Sequence, residues 1–356
     1  MTASSRVRYP VGVPHLPTAG ILPPHILWAI VANGDAEQRA WALQALAVSE
    51  RIRGRRELLG DIATAAAAAA PGKQRTVYDA KHGSQLPGAK ARGEGDPPGK
   101  DVAVNEAYDG AGATYDLYHE VFGRDSIDDR GMPLLSTVHY RRGYDNAFWD
   151  GSQMVYGDGD GKIFGRFTKA VDVIGHELTH GVTQYEANLD YADQPGALNE
   201  SVSDVFGSLV KPRTLGQTAG RADWLIGAGL FTPAIRGVAL RSMAAPGTAY
   251  DDPLIGSDPQ PADMAHYVET ADDNGGVHIN SGIPNRAFYL AAVAIGGFAW
   301  EKAGRVWYVT LRDRLRPTSD FKAAANLTIA VARELFGARG AAAKAVAAAW
   351  AEVGVL

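Results

Sequence analysis

The chain has 356 residues, 46% of them hydrophobic and 21% charged, and a formal net charge of −5. This describes a soluble globular protein long enough for two domains, with no basic surplus to favour nucleic acid. There is no cysteine, so disulfides and thiol chemistry are excluded, and stability must come from packing and ions.

No run reaches the roughly 18 apolar residues of a membrane span, so no membrane partner is expected. The opening MTASSRVRYPVGVPHLP lacks the apolar stretch of roughly 7–15 residues found in a secretory signal. From Leu22 to Arg56 the pattern is helical and broken at Asn33-Gly34, predicting two short helices. The alanine-rich stretch Ala63 to Ala70, closed by Pro71-Gly72, reads as a linker. Residues 1–71 are too few for an independent core and form a leader, or else a helical domain fused to the rest of the chain. From Gly72 to Tyr191, Tyr, Val and Thr runs punctuated by Gly, Asp and Pro predict short strands and turns, ending in one long helix. Within it, Gly157-Asp158-Gly159-Asp160-Gly161 reads as a turn, with an acidic ion loop as the alternative. From Ala192 to Leu356 the periodicity is mostly helical, as in AFYLAAVAIGG, RVWYVTLRDRL and AAAKAVAAAWAEV, where Val346 and Trp350 read as docked core residues. The expected fold class is α+β in two domains, a β-rich half over 72–191 and an α-helical half over 192–356, with a cleft where they meet.

The long helix carries His176-Glu177-Leu178-Thr179-His180. Two imidazoles one helical turn apart face the same way, close enough to hold one Zn²⁺ at roughly 2.0–2.1 Å. Glu177, about 100° further round the helix, can reach a water on the metal and act as general base. A third ligand comes from a second helical pattern, GALNESVSD, in Glu200. Two histidines, a glutamate and one open position make a catalytic zinc site, whereas a structural site is closed by four protein ligands. Asn199 and Asp204 flank Glu200 where they can hold the far nitrogens of the two histidines. The competing reading is helix capping by Asn199 and solvation of Asp204.

HELTH followed by NESVSD resembles the thermolysin family of neutral zinc metalloendopeptidases. YDNAFWDGSQMVYGDGDG (Tyr144 to Gly161), LRSM (Leu240 to Met243) and DNGGVHINSG (Asp273 to Gly282) match that family's motifs in order, and the similarity runs from about Arg75 to the C-terminus. RTVYDAKHGSQLPG and the short leader are most similar to the protealysin branch. The resemblance implies a thermolysin-like zincin with one catalytic Zn²⁺ and the zinc helix between its halves. It also implies that His278 and Tyr191 donate to the oxyanion, with Asp273 holding the His278 imidazole. Asn146 and the carbonyl of Ala147 would pair with an extended peptide, and Arg241 would bond a substrate carbonyl. Phe164, Val173, Ile226 and Leu240 could line the pocket for a bulky apolar residue just after the cut, or simply pack in the core. The leader would be a propeptide, an intramolecular inhibitor using Pro23-Pro24 against the cleft and removed by cleavage between about Arg56 and Lys73.

One departure from the family concerns calcium. Asp172 and Asp223 match two usual ligands, but Lys211 stands where a glutamate is expected, Leu225 and Ala228 fill two more positions, and Val238 replaces an aspartate. A cation that takes roughly 6–8 oxygens is poorly served by two carboxylates beside an ammonium, so Lys211 is expected to replace it. The sequence therefore predicts a zinc endopeptidase made as a precursor and acting on peptides or proteins. A monomer is expected, secreted by family resemblance though without a visible signal peptide, or else cytoplasmic or exported otherwise. The alternative is a propeptide-locked or non-catalytic zinc-dependent peptide-binding protein.

Overall fold

The computed structural model describes residues 20–60 and 72–356; the alanine-rich linker expected at Ala63 to Ala70 lies outside them. In the leader, Pro24–Asn33 form α1 and Ala36–Gly60 form α2. The break falls where the sequence places it. Asp35 Oδ1 accepts from the backbone N–H groups of Glu37 and Gln38, and Gln38 Oε1 accepts from Asp35 N–H, a reciprocal cap that starts α2. This second helix is not short: it runs beyond Arg56, because ERIRGRREL is built of strong helix formers with a single glycine.

Strands β1 (Arg75–Asp79) and β2 (Ala89–Gly93) lead into helix α3 (Val102–Asp116), an element absent from the strand-and-turn pattern read over this stretch. Asp101 caps it by accepting from Ala103 and Val104 N–H, and its buried side carries Val104, Ala107, Tyr108, Ala111 and Tyr115. Its glycines disguise it: a Cβ on Gly110 would come within 2.3 Å of Ile174 Cδ1, so the residue that weakens the helix is the one that lets it pack.

Next come β3 (Leu134–Val138), β4 (Ala147–Trp149) and β5 (Met154–Tyr156). The sheet order is β2-β1-β3-β5-β4; β3 is parallel to β1 and β5, and the two outer pairs are antiparallel. Register Ala147↔Tyr156 leaves β4 on the sheet's edge, with one side free to bond another chain. Helices α4 (Val171–Tyr185) and α5 (Asp193–Thr214) follow. Two small antiparallel pairs come after them, β6 (Leu225–Ile226) with β7 (Arg241–Ser242), and β8 (Asp251–Asp252) with β9 (Gly256–Ser257). The chain then becomes helical, as its periodicity predicts, in α6 (Asp273–Asn280, left-handed over its first four residues), α7 (Gly282–Ile295), α8 (Ala303–Asp313), α9 (Phe321–Phe336) and α10 (Ala341–Glu352). Val346 and Trp350 are fully buried in the core, and Trp350 Nε1–H donates to Thr328 Oγ1 at 2.8 Å. The α+β, two-part architecture expected from the sequence is the one observed.

Candidate active site

The site rests on the contact between α4 and α5. A Cβ on Gly175 would lie 3.1 Å from Gly207 Cα, and one on Gly207 would lie 2.5 Å from the Asp172 carbonyl oxygen. Two facing glycines therefore let the helix backbones approach closely enough for Glu200 to reach the histidines of α4. His176 Nε2 and His180 Nε2 stand 3.1 Å apart. Glu200 Oε2 is 3.5 Å from the first and Oε1 3.4 Å from the second.

The outer nitrogens decide what the inner ones can do. His176 Nδ1 bonds Asp204 Oδ1 at 2.7 Å, and a carboxylate only accepts, so the proton sits on Nδ1. His180 Nδ1 bonds Asn199 Oδ1 at 2.9 Å; the Asn199 amide orientation is fixed because its Nδ2 donates to Leu189 O. Both Nε2 atoms thus point at one spot beside a buried carboxylate, a spot that calls for positive charge, whether a proton or a metal ion. The donor set, two imidazoles and one carboxylate with a fourth side open, is that of catalytic zinc, and the three ligand atoms lie within 4.8 Å of one another.

The electrostatics agree. Burial works against charge on His176, but Asp204 and Glu200 outweigh it and raise its pKa to about 9. Burial would raise the Glu200 carboxyl, yet the facing imidazoles of His278, His180 and His176 hold it well below the usual range. Asp204, despite full burial, is held at about 2 by Arg241 and His176. Its two oxygens accept from Arg241 Nε and Nη2 at 2.8 Å each, and Oδ2 also accepts from Asn285 Nδ2 at 2.8 Å. A charge-satisfied Asp204 is what keeps the His176 tautomer.

Around this core stand the remaining sequence-selected residues. Glu177 is buried, and its Oε2 accepts from Trp149 N–H at 2.9 Å. Asp273, Asn274, Gly275 and Gly276 all have φ between 52° and 83°, a left-handed run that turns Asp273 back onto His278. Asp273 Oδ2 accepts from His278 N–H at 2.8 Å and Oδ1 from Nδ1 at 2.7 Å. Burial opposes the His278 charge, but Asp273 and Glu200 raise its pKa. Tyr191 OH donates to Glu200 Oε1 and lies 3.3 Å from His278 Nε2.

Asn146, Ala147 and Arg241 meet in one place, on the leader. Ile21 N–H donates to Ala147 O at 3.1 Å, Leu22 N–H to Asn146 Oδ1 at 3.0 Å, and Arg241 Nη1 to Ile21 O at 3.1 Å. The leader is further held by His25 Nε2 on Tyr250 OH at 2.7 Å, by Lys162 between Asp35 and Glu37, and by Trp41 pressed on Gly143. Phe164, Val173, Ile226 and Leu240 are fully buried, and Phe164 packs on Phe167 and Phe231.

Sequence reading overlooked Ser203, whose Oγ lies 3.1 Å from His180 Nδ1; its place four residues after Asn199 on one helix could have revealed it. Asn285 and the Trp149 backbone carry no local signal, since long-range folding alone brings them in.

A buried, cation-seeking pair of histidines and a glutamate, beside an edge strand that binds an extended chain, defines a zinc-dependent peptidase. The comparisons agree. The family model described as thermolysin metallopeptidase, catalytic domain, matches residues 66–184, and that of the thermolysin metallopeptidase alpha-helical domain matches residues 187–355. The chain is 53% identical over 347 residues to an extracellular metalloprotease of Pectobacterium carotovorum subsp. carotovorum, covering 95% of this chain and 97% of that one. It is 42% identical over 293 residues to a thermolysin of Alicyclobacillus acidocaldarius subsp. acidocaldarius, covering 78% of this chain and 50% of that one. A solved structure, the precursor of protealysin, a metalloproteinase from Serratia proteamaculans, superposes with a TM-score of 0.87 at 52% identity, over 95% of this chain and 99% of that one. The chain belongs to the thermolysin family of metallopeptidases, in its protealysin branch, and is a zinc metalloendopeptidase made as a precursor with a propeptide.

Proposed function

We propose that the enzyme cuts peptide bonds on the amino side of bulky hydrophobic residues, and that its own leader inhibits it until cleaved away. The observation that carries this is the leader's main chain at Ile21-Leu22, bonded to Ala147 O, Asn146 Oδ1 and Arg241 Nη1 as an extended substrate would be. Such bonds secure a backbone without reading sequence, which suits an endopeptidase. The side chains at these positions, Ile21 and Leu22, are fully buried aliphatics.

His176, His180 and Glu200 would hold a zinc ion, which would supply a Lewis acid and lower the pKa of a water towards ~7. Glu177, fixed by Trp149 N–H, is placed to take a proton from an attacking water and deliver it to the leaving amine. His278, whose protonated form Asp273 favours by bonding Nδ1, and Tyr191 donate to the carbonyl oxygen as negative charge grows there. Asn199 and Asp204 hold the ligand imidazoles, and Arg241, which bonds both Asp204 and the leader's Ile21 carbonyl, would link substrate binding to ligand position.

Lys211 is proposed to take the place of calcium. Its Nζ bonds Asp223 Oδ2 at 2.5 Å; burial raises the pKa of Asp172 above the usual carboxylate value, opposed by the Lys211 charge and by Gly227 N–H, which donates to Asp172 Oδ2 at 2.6 Å. Leu225 and Ala228 add no ligating side chain nearby, and Val238 is exposed. No helix among the described residues is long and apolar enough to cross a membrane. Relatives named extracellular metalloproteases favour secretion.

Mass-spectrometric mapping of cuts in a peptide library by the zinc-loaded, leader-free enzyme tests the specificity. Cuts before Leu, Ile and Phe are expected; cuts scattered without regard to the residue after the bond would contradict the reading.

A further inference from the structure

A second group of metal-ligating side chains lies away from the catalytic site. His139 Nδ1 is 2.9 Å from both oxygens of Asp158, and His82 Nδ1 is 3.5 Å from Asp158 Oδ2. One ligand atom from each of these residues lies within 4.8 Å of the others. The two imidazole rings are 5.5 Å apart and tilted by 58°, so they converge on the carboxylate without stacking.

Three features make this more than a chance meeting of surface groups. First, Asp101 Oδ2 bonds His139 Nε2 at 2.9 Å while its Oδ1 is held by two backbone N–H groups at the start of α3. A fixed carboxylate on the far nitrogen turns Nδ1 towards His82 and Asp158, which is the outer arrangement that ligand histidines use. Second, the two loops are stitched together there: His82 N–H donates to His139 O, and Arg141 N–H to Gly83 O, each at 2.9 Å. Third, His82 and His139 both have positive φ, 58° and 55°, a conformation uncommon for residues other than glycine and concentrated at functional sites.

We propose that His82, His139 and Asp158 form a second zinc site, with water completing the coordination. Two imidazoles and one carboxylate suit Zn²⁺ and disfavour calcium, whose ligands are oxygens. The ion enters in place of the proton that otherwise bridges His139 to Asp158. It would pin together the loops around His82, His139 and Asp158. Two of these also carry the leader's outer anchor, through Gly143 under Trp41 and Lys162 between Asp35 and Glu37. The site is independent of catalysis, so its fate does not depend on the function proposed above.

The test is zinc titration of metal-free, full-length Glu177→Ala protein, which keeps its leader, followed by native mass spectrometry. The same protein with His82→Asn added is run in parallel; His82 is largely exposed, so this change leaves the fold intact. One more zinc per chain is expected in Glu177→Ala than in the double variant, with a rise in Tm on filling that extra site only where His82 is present. Asp158→Asn should reproduce the loss. Equal zinc counts with and without His82 would overturn the proposal and leave His139 with an ion-pair role alone.

Discussion

Helix α5 meets concentrated negative charge at two points along its length, and the chain answers them differently. At Glu200, a buried carboxylate faces the Nε2 atoms of His176 and His180, a set of metal-ligating groups. Eleven residues on, about 16 Å along the axis, Lys211 sits against Asp223 with buried Asp172 in its field. Both places need positive charge, because a carboxylate out of water is costly unless neutralised. On the reading proposed above, a lysine stands in for an ion at one end, while at the other the ligand set takes the ion that brings chemistry.

That contrast breaks most sharply at the zinc end. Glu200→Ala should abolish tight zinc binding at the catalytic site and reduce peptide hydrolysis by about 10³-fold or more, measured as the loss of one zinc per chain after gel filtration and as kcat/KM. At the other end, Lys211→Ala leaves Asp172 buried without its cation and should cost about 1–3 kcal/mol, read as a lower Tm in the zinc-loaded protein. Added calcium should leave the wild-type Tm unchanged but raise that of Lys211→Glu, which restores the missing carboxylate; a calcium-dependent rise in wild type would show that the two ends do not differ in this way.

A smaller effect should come from the leader. His25, bonded to Tyr250 OH, is pushed down to about 3 by burial and by the charges of His278 and Arg241. Docked His25 is therefore neutral, while a released one titrates near ~6.5. Docking is at full strength above pH ~6.5 and weakens, by up to tenfold per pH unit, as the pH falls from there towards about 3. Competition by a cleft-directed peptide inhibitor against the leader of the Glu177→Ala precursor measures this, and His25→Gln should flatten the profile.

Much of the catalytic end was legible because helical spacing is local: His176, Glu177 and His180 on one helix, and Asn199, Glu200 and Asp204 on another, fix their own relative directions. What brings the two helices together, Gly175 against Gly207, looks in sequence like helix weakness, as do the glycines that hid α3. Asn285 on Asp204 and Trp149 N–H on Glu177 arise from pairings remote in sequence, which no pattern along the chain records. The pairing of Lys211 with Asp223 was legible by difference, since a lysine among expected carboxylates changes sign. The cluster of His82, His139 and Asp158 was not, because three loops must close before those residues become neighbours.

The central claim is that one chain is at once zinc peptidase and its own first ligand. Its most direct test tracks full-length wild type and Glu177→Ala, both zinc-loaded, by time-resolved intact-mass spectrometry with a quenched Gly-Leu peptide in the same tube. The account predicts that wild type loses its N-terminal segment by a cut between about Arg56 and Lys73 and then cleaves the peptide before Leu, while Glu177→Ala holds zinc, stays whole and leaves the peptide intact. A wild type that stays whole and inert with zinc bound, or a Glu177→Ala protein that matures and cleaves as wild type does, would contradict it.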